Sequence, residues 1–110
     1  MNSFLDLVKQ RRSVRAYDGR PVPRELVLHC VEAARLAPSA VNSQPWRFVL
    51  CDEPQVLEAL RSGARSMGMN SFVDKAGTIA VLCSDGGNMA ASLGGRVKGV
   101  PYHYLDIGIA

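Results

Sequence analysis

The sequence contains no apolar run near the length of about 20 residues that a membrane-spanning helix needs. Its opening, MNSFLDLVKQRR, places charge after the apolar group, the reverse of a secretory signal. Cysteine is scarce. Cys30, Cys51 and Cys83 are widely spaced, sit among apolar neighbours and form no CxxC pair. That pattern excludes a disulfide framework and argues for buried, reduced thiols in a cytoplasmic protein. His29 and His103 have no second ligand at metal spacing, so no metal site is expected. The glycine-rich run DGGNMAASLGGRVKG lacks both the GK[ST] of a P-loop and the GxGxxG of a dinucleotide fold, and it reads as a flexible surface loop.

What is present indicates one globular domain. The 110 residues are 47% apolar and 21% charged, enough for a modest core and far from a disordered composition. The net charge of +3 is unevenly spread. Residues 1–24 hold six basic side chains against two acidic ones, whereas the other 86 residues carry 7 basic and 8 acidic groups. A nucleic-acid surface would spread its basic stripe over a face with aromatic platforms between the charges. With 6% aromatics and one local cluster, the chain better suits a small anion such as a phosphate, and no nucleic-acid partner is expected.

Periodicity and capping residues give the elements. Asn2 or Ser3 can cap a short helix carrying Phe4, Leu5, Leu7 and Val8 and ending near Arg11. VPRELVLHCVEAARLAP predicts a second helix, with Pro23 in its first turn, Glu25 favouring the N-terminal dipole, and a stop at Pro38. WRFVLC (Trp46 to Cys51) and TIAVLCS (Thr78 to Ser84) predict strands, and PQVLEALRSGARS between them a third helix. The final YHYLDIGIA opens a further apolar helix. Two strands make a poor sheet and that last element is short, so residues 1–110 are expected to be the N-terminal portion of a single longer domain.

Two stretches carry the chemistry. In RRSVRAYDGRPVP, Arg11 and Arg15 fall on one side whether the chain is extended or helical, and Ser13 joins them if it is extended. Planar guanidinium groups donate paired hydrogen bonds to phosphate, and the serine adds a hydroxyl donor. The alternative is a solvated helix end whose cations complement the dipole. In LAPSAVNSQPWRF, Pro38 and Pro45 bracket Ser39, Ala40, Asn42, Ser43 and Gln44. Small residues let a backbone approach a flat ring, while Asn42 and Gln44 both donate and accept hydrogen bonds. The alternative is a polar connection built from ordinary turn formers.

Together, RRSVRAYD and APSAVNSQPWRFVL, separated by one amphipathic helix, resemble the nitroreductase family of FMN enzymes. The likeness continues loosely through MNSFVDKAGTIAVLCSD and YLDIGIA and so covers essentially the whole chain. The resemblance implies an α+β fold, with helices around a mainly antiparallel sheet, in a homodimer that holds FMN at its interface. Arg11, Arg12 and Ser13 would hold the phosphate and ribityl chain, and Arg15 the pyrimidine edge of the flavin. Pro38, Ser39 and Ala40, from the other subunit, would line the isoalloxazine, with Asn42 and Gln44 close by and Asn70 as a pyrimidine-edge amide. NADH or NADPH would reduce the flavin and leave, and an electron-poor nitroaromatic, quinone or enone would follow on the same ring face, a ping-pong cycle. No side chain is then needed as a catalytic acid or base. The alternative within the family is a flavin protein without general reductase turnover, serving reductive dehalogenation or cofactor storage.

Overall fold

Ser3 begins the first helix. A computed structural model describes residues 3–65, 68–85 and 89–110, and in it the Ser3 hydroxyl accepts the Asp6 amide at 3.2 Å while the Asp6 carboxylate accepts the Ser3 amide at 3.1 Å. This reciprocal pair satisfies two donors that a helix start leaves orphaned. It opens α1, Phe4–Gln10, and Asn2, the other expected cap, lies outside the described residues. An arm without regular structure follows, and Pro23 then caps α2, Arg24–Arg35, which gives way at Leu36, two residues short of Pro38. The Arg24 guanidinium pairs with Asp52 at 2.9 Å, tying the start of α2 to the end of the first strand.

That strand, β1 (Trp46–Cys51), pairs antiparallel with β2 (Ile79–Ser84), in a register that sets Trp46 opposite Ser84 and Cys51 opposite Ile79. Pro45 precedes the ladder, where its missing N–H costs nothing, and its carbonyl accepts the Asp85 amide at 3.0 Å. Between the strands, Pro54 takes the first turn of α3, Pro54–Ala64, as a residue without an N–H can. A 3₁₀ turn, Ser71–Lys75, packs against α3.

The glycine-rich run departs from expectation. Residues 86–88 lie outside the described residues, but Met89–Lys98 is a helix, α4, and not a loop. Met89, Ala90, Ala91 and Leu93 are good helix formers, and they outweigh Gly94 and Gly95 at about 1 kcal/mol each. Gly95 serves packing, since a β-carbon there would collide with the Val100 carbonyl. The last element is the expected helix, α5, Tyr102–Ile109, which packs on β2, on α4 and on the turn after α2.

The core is small. Among the described residues its buried apolar members are Pro45, Trp46, Cys51, Leu57 and Ala91. A radius of gyration of 16.6 Å exceeds the roughly 13 Å expected of a compact domain of this length. Apolar surface stands exposed as a result: Phe4, Leu5, Leu7 and Val8 line α1 without cover. The same openness corrects the expectation of three buried thiols. Cys51 is buried, but Cys30 on α2 and Cys83 opposite Arg47 face solvent, and all three are unpaired.

Candidate functional site

The arm after α1 carries the arginine cluster, and all of its residues from Arg11 to Pro21 are exposed. Arg11 ends the helix, and its Nη1 donates to the Ser13 hydroxyl at 3.3 Å, so these two side chains do share a side. Arg12 turns the other way. Its Nη1 donates to the Lys9 and Arg11 carbonyls at 2.7 and 2.9 Å, satisfying acceptors that the end of α1 leaves open. Arg15 stands exposed between them and the acid–base pair of Asp18 and Arg20. The Arg20 amide and guanidinium hold the Asp18 carboxyl below its ordinary range. Tyr17, edge-on to Phe72 at 6.1 Å, fastens the arm to the 3₁₀ turn before β2.

The second stretch is a tight, strained loop. After Ser39 the chain makes a 3₁₀ turn, Ala40–Asn42, and Val41, Asn42 and Gln44 all have left-handed backbones with φ of 47, 51 and 47°. Such conformations are costly away from glycine, and they persist only where the surroundings hold them. Here the Ser39 hydroxyl accepts the Gln44 amide at 2.9 Å, and the Gln44 side chain donates to Asn42 Oδ1 at 3.0 Å. Pro38, Asn42 and Gln44 are exposed, whereas Ser39 and Ala40 are half-buried. The Ala40 amide donates to both carboxylate oxygens of Asp106 on α5, at 3.1 and 3.3 Å. Asp106 is only 5% exposed, and sequence reasoning missed it. Its one signal was a lone carboxylate in the otherwise uncharged YHYLDIGIA.

Asn70, the remaining candidate, has a left-handed backbone (φ 58°), and its side-chain amide donates to the Ala64 carbonyl at 3.2 Å, closing the end of α3. A groove of about 730 Å³ lies between the arm and the approach to β2, with Tyr17, Val22, Val73 and Ile79 on its apolar walls. None of the candidate residues lines it. Its floor is close-fitted at Gly77, where a β-carbon would strike the Arg20 carbonyl. The structure therefore brings Arg11 to Ser13, and Ser39 to Ala40, Asn42 and Gln44, as two separate clusters. Among the described residues, no hydrogen bond or ion pair joins the two clusters.

The donor chemistry of each cluster fits one end of a flavin mononucleotide. Arg11 with Ser13 offers exposed cationic and hydroxyl donors for a phosphate. The loop after Pro38 offers a pinned backbone with the exposed, mutually bonded amide side chains of Asn42 and Gln44 for a flat heterocycle. Helices with a two-stranded antiparallel sheet, an arginine-bearing arm and a pinned polar loop define an α+β architecture.

The profile of the Nitroreductase family matches residues 8–93, and the chain belongs to that family. It is 38% identical over 82 residues to a candidate NAD(P)H nitroreductase, YdgI of Bacillus subtilis, covering 74% of this chain and 39% of that one. It is 32% identical over 69 residues to the iodotyrosine deiodinase of Haliscomenobacter hydrossis, covering 63% of this chain and 31% of that one. A candidate nitroreductase from Exiguobacterium sibiricum, solved in complex with FMN, superposes with a TM-score of 0.67 at 30% identity, over 91% of this chain and 49% of that one. The fold is thus nitroreductase-like. The chain spans well under half the length of these two curated relatives. Among the described residues, no helix is long and apolar enough to cross a membrane.

Proposed function

We propose that this chain serves an FMN-dependent oxidoreductase in which NADH or NADPH is the donor and a nitroaromatic, quinone or similar electron-poor molecule the acceptor. The observation that carries this reading is the pairing of Arg11 with Ser13 at 3.3 Å on an exposed arm, in a chain of the Nitroreductase family. Bound FMN would supply two-electron hydride chemistry with both substrates in turn, a ping-pong cycle. The chain's own residues bind and orient. Arg11, Ser13 and a released Arg12 would hold the phosphate and ribityl end, while Arg15 sets positive charge beside the pyrimidine edge. Pro38, Ser39 and Ala40 would form the ring platform, with Asn42, Gln44 and Asn70 as the polar groups around it.

No hydrogen bond or ion pair joins the two clusters among the described residues, which supports a homodimer in which the platform of one protomer serves the arm of the other. The uncovered apolar residues of α1 support the same assembly. Three unpaired cysteines support a reducing, cytoplasmic setting.

The test is the visible spectrum of the purified protein, then heat release and identification of any chromophore. FMN near one per chain, with NAD(P)H consumption that depends on an added nitroaromatic or quinone, is the expected result. A protein that stays colourless after incubation with FMN overturns it. The deiodinase relative favours a second reading, reductive dehalogenation. That reading predicts iodide release from an iodinated phenol and little consumption of NAD(P)H with quinones.

A further inference from the structure

We propose that Asp106 is the positioning residue of the ring-facing loop, acting through the Ala40 amide rather than by touching a ligand. The inference rests on the flavin reading above and extends it to a residue of α5, 66 positions away in sequence from the amide it holds. Among the described residues Asp106 is the single buried charged side chain. A carboxylate in that setting is costly unless donors satisfy it, and a structural role for so costly a group has to be found in what it binds. It binds one backbone amide with both oxygens, at 3.1 and 3.3 Å.

The position of that amide gives the bond its meaning. Ala40 opens the 3₁₀ turn, where the first amides have no partner within the turn. The next residues, Val41 and Asn42, and then Gln44, are left-handed without being glycine. A loop of this kind relaxes to ordinary backbone angles unless it is held at both ends. Gln44 is held at the far end by the Ser39 hydroxyl. The near end is held by Asp106, and because α5 packs on β2, the anchor refers the loop to the sheet. Asp106 therefore sets the height and tilt of Pro38 to Gln44 against the sheet, which is what a platform for a planar ring requires.

Asp106→Leu and Asp106→Asn in the full chain test this. The first removes the acceptor; the second keeps the shape and one acceptor oxygen. Amide hydrogen exchange of the flavin-free protein reports Ala40 against the amides of β1 and β2, and flavin fluorescence reports FMN affinity. Asp106→Leu should speed Ala40 exchange roughly tenfold or more, the scale of a charge-assisted hydrogen bond, with the strands still protected. FMN affinity should fall by a similar factor, and Asp106→Asn should recover part of both. If Asp106→Leu also exposes the strands, Asp106→Asn alone decides, and faster exchange confined to Ala40 with weaker FMN binding is then the expected result. Unchanged Ala40 exchange overturns the anchor, and faster exchange with unchanged FMN affinity overturns its positioning role. An unmutated chain that binds no FMN defeats the flavin reading instead, while Ala40 exchange still decides whether Asp106 holds the loop.

Discussion

Arg12 folds back over the end of its own helix and donates to the Lys9 carbonyl at 2.7 Å. Its neighbour Arg11 reaches forward to Ser13. The two adjacent guanidinium groups thus start from different conditions. Arg12 must give up two backbone acceptors before it can bind anything else, whereas Arg11 gives up one long bond to a hydroxyl. Arg11→Ala should weaken FMN binding roughly tenfold or more, as loss of a charge-assisted contact does. Arg12→Ala should cost less affinity but fray α1, which amide exchange at its last turn will show. The reverse order of affinities, measured by fluorescence titration, would mean that Arg12 swings out and becomes the main phosphate ligand.

Gly77 is a contact residue, not a hinge. A methyl group there would meet the Arg20 carbonyl and press on Pro21. Forcing extra volume into such a fit costs about 1–3 kcal/mol. Gly77→Ala should therefore lower the thermal midpoint by several degrees and lift the arm from the sheet. The second effect is read directly, as loss of the NMR contact between the Tyr17 and Phe72 rings. A variant with that contact intact and an unchanged midpoint would show that the arm lies elsewhere in solution.

The elements whose causes are local were legible from the residues alone. A cap at Ser3, a helix over PQVLEALRSGARS and a strand at Trp46–Cys51 are each decided within a few positions. The misread element was α4, because glycine is a helix breaker in local terms, yet Gly95 answers to the Val100 carbonyl that packs over it. Exposure of Cys30 and Cys83 was misread for a related reason: an apolar neighbourhood in sequence becomes burial only if another layer covers it. Within the candidate site, residue types were legible and their partners were not. Nothing in APSAVNSQP reveals that its first turn is held by a carboxylate on a helix far along the chain. Nor does RRSVR reveal that one of its arginines is spent on its own helix.

Glu32 and Arg35 form a hydrogen-bonded pair one turn apart on α2. The Arg35 guanidinium holds the Glu32 carboxyl below its ordinary range, and Glu32 in turn raises Arg35. A carboxyl depressed in the folded state adds stability above its unfolded pKa and loses it as pH falls through the folded one. Both groups are solvent-exposed, so the effect on overall stability is small. The prediction is site-specific: in a carboxyl NMR titration, Arg35→Ala should return Glu32 to the ordinary glutamate range.

Val41 is a β-branched residue with φ of 47° and a side chain left largely in solvent. Left-handed backbone costs such a residue about 1–2 kcal/mol, and it gains little packing in return. Glycine removes that cost and adds about 0.5–1 kcal/mol of chain entropy. Val41→Gly should therefore leave the thermal midpoint unchanged or raise it by a few degrees. Gly19→Ala, which places a side chain at φ of 80°, should lower it. If Val41→Gly lowers the midpoint, the valine side chain is covered in the assembled protein, as a platform shared between protomers would require.

Arg15 is the residue on which electronic control of the flavin depends in the proposed site. It is exposed, and among the described residues no carboxylate is paired with it. A fixed cation beside the pyrimidine edge favours the ring when it is reduced and negatively charged more than when it is oxidised and neutral. Removing it should therefore act on the two redox states unequally. Arg15→Ala should lower the flavin reduction potential, with a smaller proportional loss of affinity for oxidised FMN. Arg11→Ala supplies the contrast, since a phosphate contact is the same in both states and its loss should weaken binding with little change in potential. Potentials measured against a reference dye, alongside fluorescence titrations of both variants, separate the two roles. If Arg15→Ala leaves the potential where it was, the cation does not face the ring, and Arg15 belongs with the phosphate ligands.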